Sequence, residues 1–249
     1  MKAAALYDIH GNLPALEAVL SEIRELDIDR IVVGGDVIVG PMSMECLDLL
    51  MNSSIPVDFI YGNCETAVLN KLDDKPFKEL PESVIEEISW TADSILPKHV
   101  EEIRSWPLTT NLDIDGLGAV LFCHATTRNE DEIFTRQTSE EKLLPVFGQT
   151  NADVITCGHT HMSFDRIVGK KRIVNAGSVG IPFGNKGAHW LSPGPNVEFK
   201  CTLYDIEQAA FRVCQTEYPH AKEFANNNVL NVPAEKAMLD LFSKVELTS

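Results

Sequence analysis

The chain has 249 residues, of which 44% are hydrophobic, and a formal net charge of −16 from 21 basic and 37 acidic residues. This length and apolar content allow one large core, so we expect a single domain over residues 1–249. The acidic balance argues against broad electrostatic binding to nucleic acid or to an anionic membrane. It does not exclude an anionic substrate, because bound divalent cations reverse the sign of the local potential.

The start of the chain and the cysteines indicate the compartment. The first apolar run contains one basic residue and ends at Asp8, which makes it too short for a signal peptide. No stretch of the sequence reaches the ~18 apolar residues of a membrane span. The six cysteines are scattered without a CxxC pair, so neither a disulfide framework nor a thiolate zinc site is indicated. We therefore expect a cytoplasmic protein that does not associate with membranes.

The first sixty residues repeat a pattern of strand, loop and helix. Residues 3–7 form an apolar run that predicts a buried strand, and apolar residues then recur at helical spacing over 13–26. Asn12 is suited to cap that helix and Pro14 to its first turn. Strands that alternate with helices predict a largely parallel sheet, in which ligands gather at the carboxyl ends of the strands. The other strands predicted here lie at 31–33 and 57–61, and a helix at 44–51.

The rest of the chain is less regular. Residues 66–106 predict two or three helices bounded by prolines, which we interpret as a helical insertion that either roofs the site or packs elsewhere. A hairpin is predicted over 108–123, with Asp115-Gly116 at its turn. Further along the chain, the pattern predicts an amphipathic helix at 139–147, buried strands at 152–156 and 171–174, a loop over 175–196, antiparallel strands at 197–204 and 209–214, and a surface helix at 232–243.

Polar side chains with metal-binding chemistry follow five of the apolar runs. They are Asp8, His10, Asp36, Asn63, His124, His159 and His161. Each one alone is more often a capping or hydrogen-bonded loop residue than a ligand, but five coincidences favour a metal site. Nitrogen and oxygen donors together suit Mn²⁺, Fe or Zn²⁺ better than Ca²⁺ or Mg²⁺, which prefer oxygen. Seven groups are too many for one ion that also binds substrate, so they predict two ions that share a bridging carboxylate.

A set of spaced motifs resembles that of the calcineurin-like metallophosphoesterases, especially the small bacterial and archaeal phosphodiesterases. The motifs are DxHGN at 8–12, GGDxxxxG at 34–40, GNC at 62–64, a single His at 124, GHTH at 158–161 and NAGSVG at 175–180. Their order and spacing extend through residues 1–182, and the combination is specific although each motif alone is weak. The resemblance implies an α/β fold, a four-layer αββα sandwich of two mixed β-sheets, with the helical segment as an insertion.

The resemblance also implies a role for each ligand. Asp8, His10 and His161 would bind the first ion, Asp36 would bridge both ions, and Asn63, His124 and His159 would bind the second. A hydroxide that bridges the ions would attack phosphorus in line with the leaving oxygen, with Asp36, Asn63 and Cys64 as catalytic residues. The expected ions are Mn²⁺ or, alternatively, Fe, Zn²⁺ or Ni²⁺. If the strand before the His159 and His161 pair continues through it, both rings face one side, and each contacts a different ion.

Three further residues bear on the substrate. Many family members have GNH, with the His near the leaving group, where this chain has Cys64, whose thiol is normally neutral near pH 7 and a weak hydrogen-bond donor. The small phosphodiesterases share this Cys, which favours substrates with good leaving groups or a reaction that needs no strong acid. Asn12 lies where a helix start faces an anion, and Arg128 is suited to clamp a phosphate, with a solvated loop arginine as the alternative.

The leading hypothesis is a dinuclear metal-dependent phosphodiesterase that acts on a small phosphoester substrate, nucleotides included. The alternatives within the resemblance are a phosphomonoesterase, a protein phosphatase and a dinucleotide polyphosphate hydrolase. A non-catalytic protein-binding scaffold is the alternative of a different class. The complete ligand set favours the enzyme, because a scaffold has no need of all seven groups.

Overall fold

A computed structural model of the chain describes residues 1–76 and 79–247. Its strands are β1 Ala3–Leu6, β2 Arg30–Val33, β3 Val57–Phe59, β4 Thr109–Ile114, β5 Gly118–Cys123, β6 Val154–Cys157, β7 Phe164–Val168, β8 Lys171–Asn175, β9 Ala188–Pro193 and β10 Val197–Thr202. Its α-helices are α1 Leu13–Arg24, α2 Ser43–Met51, α3 Asn63–Leu72, α4 Glu82–Ser94, α5 Pro97–Ser105, α6 Glu140–Phe147, α7 Ile206–Cys214, α8 Ala221–Phe224 and α9 Glu235–Phe242, and a π-helical segment spans Ala225–Leu230.

The first sheet has the strand order β10-β9-β1-β2-β3. Strands β1, β2 and β3 are parallel, with Leu6 opposite Val33 and Val33 opposite Phe59. Strand β9 pairs antiparallel with both β1 and β10. Because β1, β2 and β3 run the same way, their carboxyl ends meet at one edge of the sheet.

The second sheet is also mixed, with the order β4-β5-β6-β8-β7. Strands β5, β6 and β8 are parallel, and β4 and β7 add antiparallel edges. The hairpin predicted over 108–123 is confirmed as β4 and β5, and Gly116, at its turn, has a φ of +77°. The parallel strands of this sheet therefore also end at a common edge.

The alternation of side chains along β1 explains the layers. Ala4 and Leu6 face a core shared with α1 and α2, whereas Ala3, Ala5 and Tyr7 face a core between the two sheets. Val120, Phe122 and Val154 of the second sheet fill that inner core. On the outer face of the second sheet, Leu143 and Phe147 of α6 pack against Ile155 and Ile173. The four-layer αββα sandwich predicted from the resemblance is confirmed.

The predicted helical segment 66–106 contains most of α3 and all of α4 and α5, and its residues 77 and 78 lie outside the described ranges. Ile88 and Ile103 from this segment join the core beneath the first sheet. Trp106, which follows α5, stacks on Phe59 of β3 with the ring centroids 4.6 Å apart. Within the part of the chain that the structure describes, no helix has both the length and the apolar content needed to cross a bilayer.

The strand predicted over 209–214 is wrong, because this stretch lies in α7. The side chain of Asp205 caps the helix by accepting a hydrogen bond from the Gln208 N–H at 2.9 Å. The buried residues of α7 are Ala209, Ala210 and Val213, which share one helical face and pack against α8 and the π-helical segment. The antiparallel partner of β10 is instead β9.

Strand β9 lies within the stretch 175–196 that was predicted as a loop, so that prediction is wrong in its second half. Trp190 of β9 is fully buried, and its Nε1–H donates to Thr202 Oγ1 of β10 at 2.9 Å. Strand β7, which the sequence pattern did not reveal, forms a hairpin with β8 through Gly169 at a φ of +60°. Burial against the neighbouring strand, rather than local composition, stabilises both elements.

The Asp205 side chain that caps α7 should contribute measurably to the stability of the protein. Replacing Asp205 by Ala should lower the free energy of unfolding by about 1 kcal/mol, because the Gln208 N–H loses its acceptor. The variant Asp205→Asn keeps a side-chain acceptor and should stay near the wild-type value. Urea unfolding followed by circular dichroism measures both variants. Equal stability of Asp205→Ala and wild type would contradict the cap.

Candidate metal centre

All seven predicted ligands follow the carboxyl ends of parallel strands, six of them on loops and Asn63 at the start of a helix. Asp8 and His10 follow β1, Asp36 follows β2, Asn63 begins α3 after β3, His124 follows β5, and His159 and His161 follow β6. The carboxyl ends of both parallel sets face each other across the inner core, so the structure brings the seven side chains together. They form two adjacent groups.

The first group contains Asp8, His10 and His161, whose ligand atoms lie within 4.8 Å of one another. The Nε2 atom of His161 is 3.5 Å from Asp8 Oδ1 and 3.3 Å from His10 Nε2. All three residues are buried. These are the residues that the resemblance assigns to the first ion.

The second group contains Asp36, His124 and His159, again within 4.8 Å. The Nε2 atom of His124 is 3.6 Å from Asp36 Oδ2 and 3.0 Å from Asn63 Oδ1. The same Oδ2 atom of Asp36 is 3.7 Å from Nε2 of His10, which belongs to the first group. Asp36 therefore lies between the two groups.

His159 and His161 point into different groups, but not through a continued strand. Strand β6 ends at Cys157, and the two histidines have φ angles of +65° and +56°. The expectation that the strand direction persists through the pair is therefore wrong. Left-handed backbone, rather than strand alternation, directs the two rings.

Three other predicted ligands share this left-handed backbone: Asp8 at a φ of +53°, His10 at +46° and Asp36 at +52°. Such angles are uncommon for residues with a side chain and cost energy, so the surroundings must hold them. The N–H of Asp8 donates to Gly35 O at 3.2 Å, and that of His10 donates to Asp36 O at 2.9 Å. The loops after β1 and β2 thus hold each other in conformations that aim side chains at the centre.

Glu65 holds the loops after β2 and β3 together, and sequence reasoning missed it. Its buried carboxylate accepts backbone N–H groups from Asp36 at 2.8 Å and Val37 at 2.9 Å. It also accepts the N–H of Gly62 at 2.8 Å, which caps the start of α3. A Glu three residues after the residue that caps a helix is a sequence signal for the bond to the Gly62 N–H, but not for the bonds to the loop after β2. Burial and the charge of Asp36 raise the pKa of Glu65 to about 7, which the backbone donors oppose.

Position 62 requires glycine because its backbone lies close to the predicted ligands. A Cβ atom there would collide with Asp36 Oδ1. Gly35 has a φ of +90°, and a Cβ on it would lie 2.8 Å from His124 Nδ1. The two glycines thus let the backbone approach the ligands closely.

Backbone carbonyls orient two of the imidazoles. His124 Nδ1 lies 2.8 Å from Gly34 O, and His161 Nδ1 lies 2.9 Å from Ile181 O. Because a carbonyl only accepts, each Nδ1 carries the proton, and in the neutral ring the Nε2 lone pair faces the centre. For His124 this lone pair faces Asn63 Oδ1, which is a second acceptor. A cation between the two acceptors would satisfy both.

Five buried side-chain atoms lack a hydrogen-bond partner among the described residues, and two of them, Asp8 Oδ1 and His159 Nε2, belong to the predicted ligands. Unpartnered buried acceptors are costly unless they bind something. One of these two ligand atoms belongs to each group. The donor set of imidazole nitrogens and carboxylate oxygens is the chemistry of transition-metal sites, so the residues present fit divalent transition-metal ions.

The protonation of the individual buried side chains also suits metal binding. Burial lowers the pKa of His10 and of His159 to about 4, so both rings are neutral at pH 7. Burial opposes ionisation of Asp8, but the imidazoles, His161 foremost, lower its pKa to about 2. Burial also opposes protonation of His124 and His161, but nearby carboxylates outweigh it and raise the pKa of both rings. Because only the unprotonated Nε2 atom of each ring can bind a metal ion, protons compete with the ion, and metal affinity should fall as pH is lowered.

Comparison with known proteins identifies the family of this site. The model of the calcineurin-like phosphoesterase superfamily domain matches residues 1–191. The chain belongs to this superfamily. It is therefore a hydrolase that acts on phosphoester bonds, and the resemblance drawn from the motifs is confirmed.

Several individual proteins match most of the chain. The chain is 28% identical over 239 residues to the uncharacterized protein MJ0912 of Methanocaldococcus jannaschii, with 87% of this chain and 93% of that protein covered. It resembles the structure of the hypothetical protein PH1004 of Pyrococcus horikoshii, with a TM-score of 0.77, 19% identity, and 90% and 97% of the two chains covered. A metallophosphoesterase of Sphaerobacter thermophilus aligns with a TM-score of 0.69, 23% identity, and 92% and 99% covered. At these identities the two structures bear on the fold alone.

Cys64 occupies the position where many phosphoesterases of this superfamily have a His. Its backbone N–H donates to Asp36 Oδ1 at 2.8 Å, and its thiol donates to Asp36 Oδ2 at 3.2 Å. Burial and the charge of Asp36 raise the pKa of the thiol well above its usual range, so the thiol keeps its proton. Cys64 thus fixes the orientation of the carboxylate that lies between the two groups.

The structure gives both candidate substrate residues other partners. Asn12 is fully buried, where its Oδ1 accepts the Ala15 N–H and its Nδ2 donates to Gly180 O at 2.8 Å. Arg128 directs Nε and Nη2 to the carboxylate of Glu132, at 3.0 and 2.7 Å from its Oε1 atom. Asn12 is confirmed as the cap of α1. Contact of either residue with substrate stays a prediction.

Because Asp36 lies between the two groups of predicted ligands, its replacement should weaken metal binding. The variant Asp36→Asn should lose at least one ion and bind Mn²⁺ at least about 100-fold more weakly, beyond the roughly 10- to 100-fold effect of residues that only support ligands. The control is Asp153→Asn, because the Asp153 side chain is 85% exposed. Metal analysis after equilibrium dialysis measures both variants. Wild-type Mn²⁺ content and affinity in Asp36→Asn would contradict the bridging position.

Proposed function

We propose that this protein is a phosphodiesterase that uses two divalent transition-metal ions, Mn²⁺ or alternatively Fe, Zn²⁺ or Ni²⁺, to hydrolyse a small phosphoester substrate in the cytoplasm. The observation that carries this proposal is the position of Asp36 Oδ2, 3.7 Å from His10 Nε2 and 3.6 Å from His124 Nε2. One carboxylate oxygen at the border of two ligand groups is the arrangement that a pair of ions about 3.5–4 Å apart requires.

The ligand groups divide in the way that two ions need. Asp8, His10 and His161 would bind one ion, and His124, His159 and Asn63 would bind the other, with Asp36 shared. When bound, such ions neutralise phosphoryl oxygens and lower the pKa of water enough to provide hydroxide near neutral pH. The protein contributes the fixed geometry, because Glu65, Gly62 and Cys64 hold Asp36 and its loop in place. A non-catalytic scaffold would have no use for unpartnered buried ligand atoms.

Charge supports a diester over a monoester. A phosphomonoester carries close to two negative charges at pH 7, whereas a diester carries one, so a monoester site gains more from additional cations. The guanidinium of Arg128 is already paired with Glu132. Among the described side chains that line the cavity beside Asn63 and Cys64, none is basic. We therefore place phosphodiesters ahead of monoesters, protein phosphate groups and dinucleotide polyphosphates.

The test is a comparison of two chromogenic esters with the Mn²⁺-loaded protein. We expect hydrolysis of bis(4-nitrophenyl) phosphate, with kcat/KM at least about tenfold higher than for 4-nitrophenyl phosphate, which corresponds to about 1.4 kcal/mol of transition-state stabilisation. Addition of a chelator should abolish both activities, and Mn²⁺ should restore them. A preference for the monoester would contradict the diester proposal, and no metal-dependent hydrolysis of either ester would contradict the catalytic one.

A further inference from the structure

A cavity of about 230 Å³ adjoins the metal centre at Asn63 and Cys64. One wall comes from α3, a second from α4 and the residues before it, and a third from the loop after β2. Its apolar lining consists of Val39, Ala67, Leu80, Val84 and Ile88. The predicted helical insertion thus supplies most of the apolar surface next to the site.

The polar groups of the cavity come from the loop after β5 and from α3. Asn129, Glu130 and Asp131 line the loop side, and Asn70 of α3 adds a second amide. The Glu130 carboxylate accepts a hydrogen bond from Thr66 Oγ1 at 2.9 Å, which connects this loop to α3. Amide and carboxylate groups can bind hydroxyl or amino groups of a ligand, but they offer little compensation to a second anion.

Resting on the proposed function, we propose that this cavity, which we name the ester pocket, binds one organic ester group of the phosphodiester substrate. The group is an uncharged ring system, such as an aryl group or the base of a nucleoside, and ester groups that carry a carboxylate or a further phosphate are rejected. The pocket continues directly from Asn63 and Cys64, so a phosphate held at the metal centre places one of its ester oxygens at the pocket mouth.

The size and lining of the ester pocket favour a single uncharged ring system over a larger or charged ester group. Sites for drug-sized ligands measure roughly 300–1,000 Å³, so a pocket of about 230 Å³ takes a single ring system rather than a second nucleotide. Burying an uncharged ring against the apolar walls is favourable in free energy. An anion in the pocket would instead lose its water without gaining a cation as partner. Val39 has a φ of +61°, an uncommon conformation for a β-branched residue, and its side chain lines the pocket.

The first test fills the pocket and measures binding rather than hydrolysis. Diphenyl phosphate, which has a poor leaving group, is titrated into the Mn²⁺-loaded protein by calorimetry. The variant Ala67→Phe should weaken its binding by about tenfold or more, because the new ring occupies the space of the ligand ring. The matched control is Lys71→Phe, which adds the same ring to an exposed position on α3 and should leave the affinity within about twofold.

The second test uses the wild-type protein alone, so it holds even if Ala67→Phe fails to fold. Bis(4-methylphenyl) phosphate and bis(4-carboxyphenyl) phosphate have similar size but differ in charge. We expect bis(4-methylphenyl) phosphate to bind at least about tenfold more tightly than bis(4-carboxyphenyl) phosphate. Equal or tighter binding of the dicarboxylate would overturn the proposal, as would unchanged binding of diphenyl phosphate to a folded, Mn²⁺-loaded Ala67→Phe variant.

These measurements separate the pocket from the catalytic proposal. If the aryl diesters bind with the expected selectivity but bis(4-nitrophenyl) phosphate is not hydrolysed, the ester pocket stands and the proposed function fails. If hydrolysis occurs but neither the variant nor the ligand charge changes binding, the proposed function stands and the ester pocket is wrong.

Discussion

The buried carboxylate of Glu65 is the interaction on which the geometry of the centre depends. It accepts backbone N–H groups from the loop after β2 and from the cap of α3, and so holds Asp36 and Gly62 at a fixed separation. Asp36 is thereby kept in a left-handed conformation that the isolated loop would rarely adopt. A fully buried acid with several backbone donors is an effective clamp, because losing it would leave those donors unpaired.

The two sheets contribute different sets of predicted ligands to the centre. The first sheet positions the oxygen donors Asp8, Asp36 and Asn63 and the imidazole of His10, whereas the loops of the second provide only imidazoles, from His124 and the 159–161 segment. The sheets are linked close to the site, since the Tyr7 hydroxyl after β1 donates to Thr156 O of β6. Packing between the sheets therefore sets the distance between carboxylates and imidazoles, and the helical insertion adds the apolar pocket beside them.

Much of the site could be predicted from sequence, because the ligands follow apolar runs whose parallel order places their ends together. The combination of the six spaced motifs was sufficient to predict the family and the sandwich. The left-handed angles and the clamp by Glu65 could not be predicted, since they arise from contacts between loops distant in sequence. The error over 209–214 has a local cause: Phe211 and Val213 favour strands, but the Asp205 cap and one buried face favour the helix that forms.

We propose that two ions share Asp36, and the electron paramagnetic resonance spectrum of the Mn²⁺-loaded protein can refute this proposal in a single measurement. Ions bridged by one carboxylate are magnetically coupled, so at full loading the account predicts the multiline signal of a coupled pair, and this signal should be lost in Asp36→Asn. A fully loaded wild-type protein that gives only the signal of isolated Mn²⁺ would contradict the account.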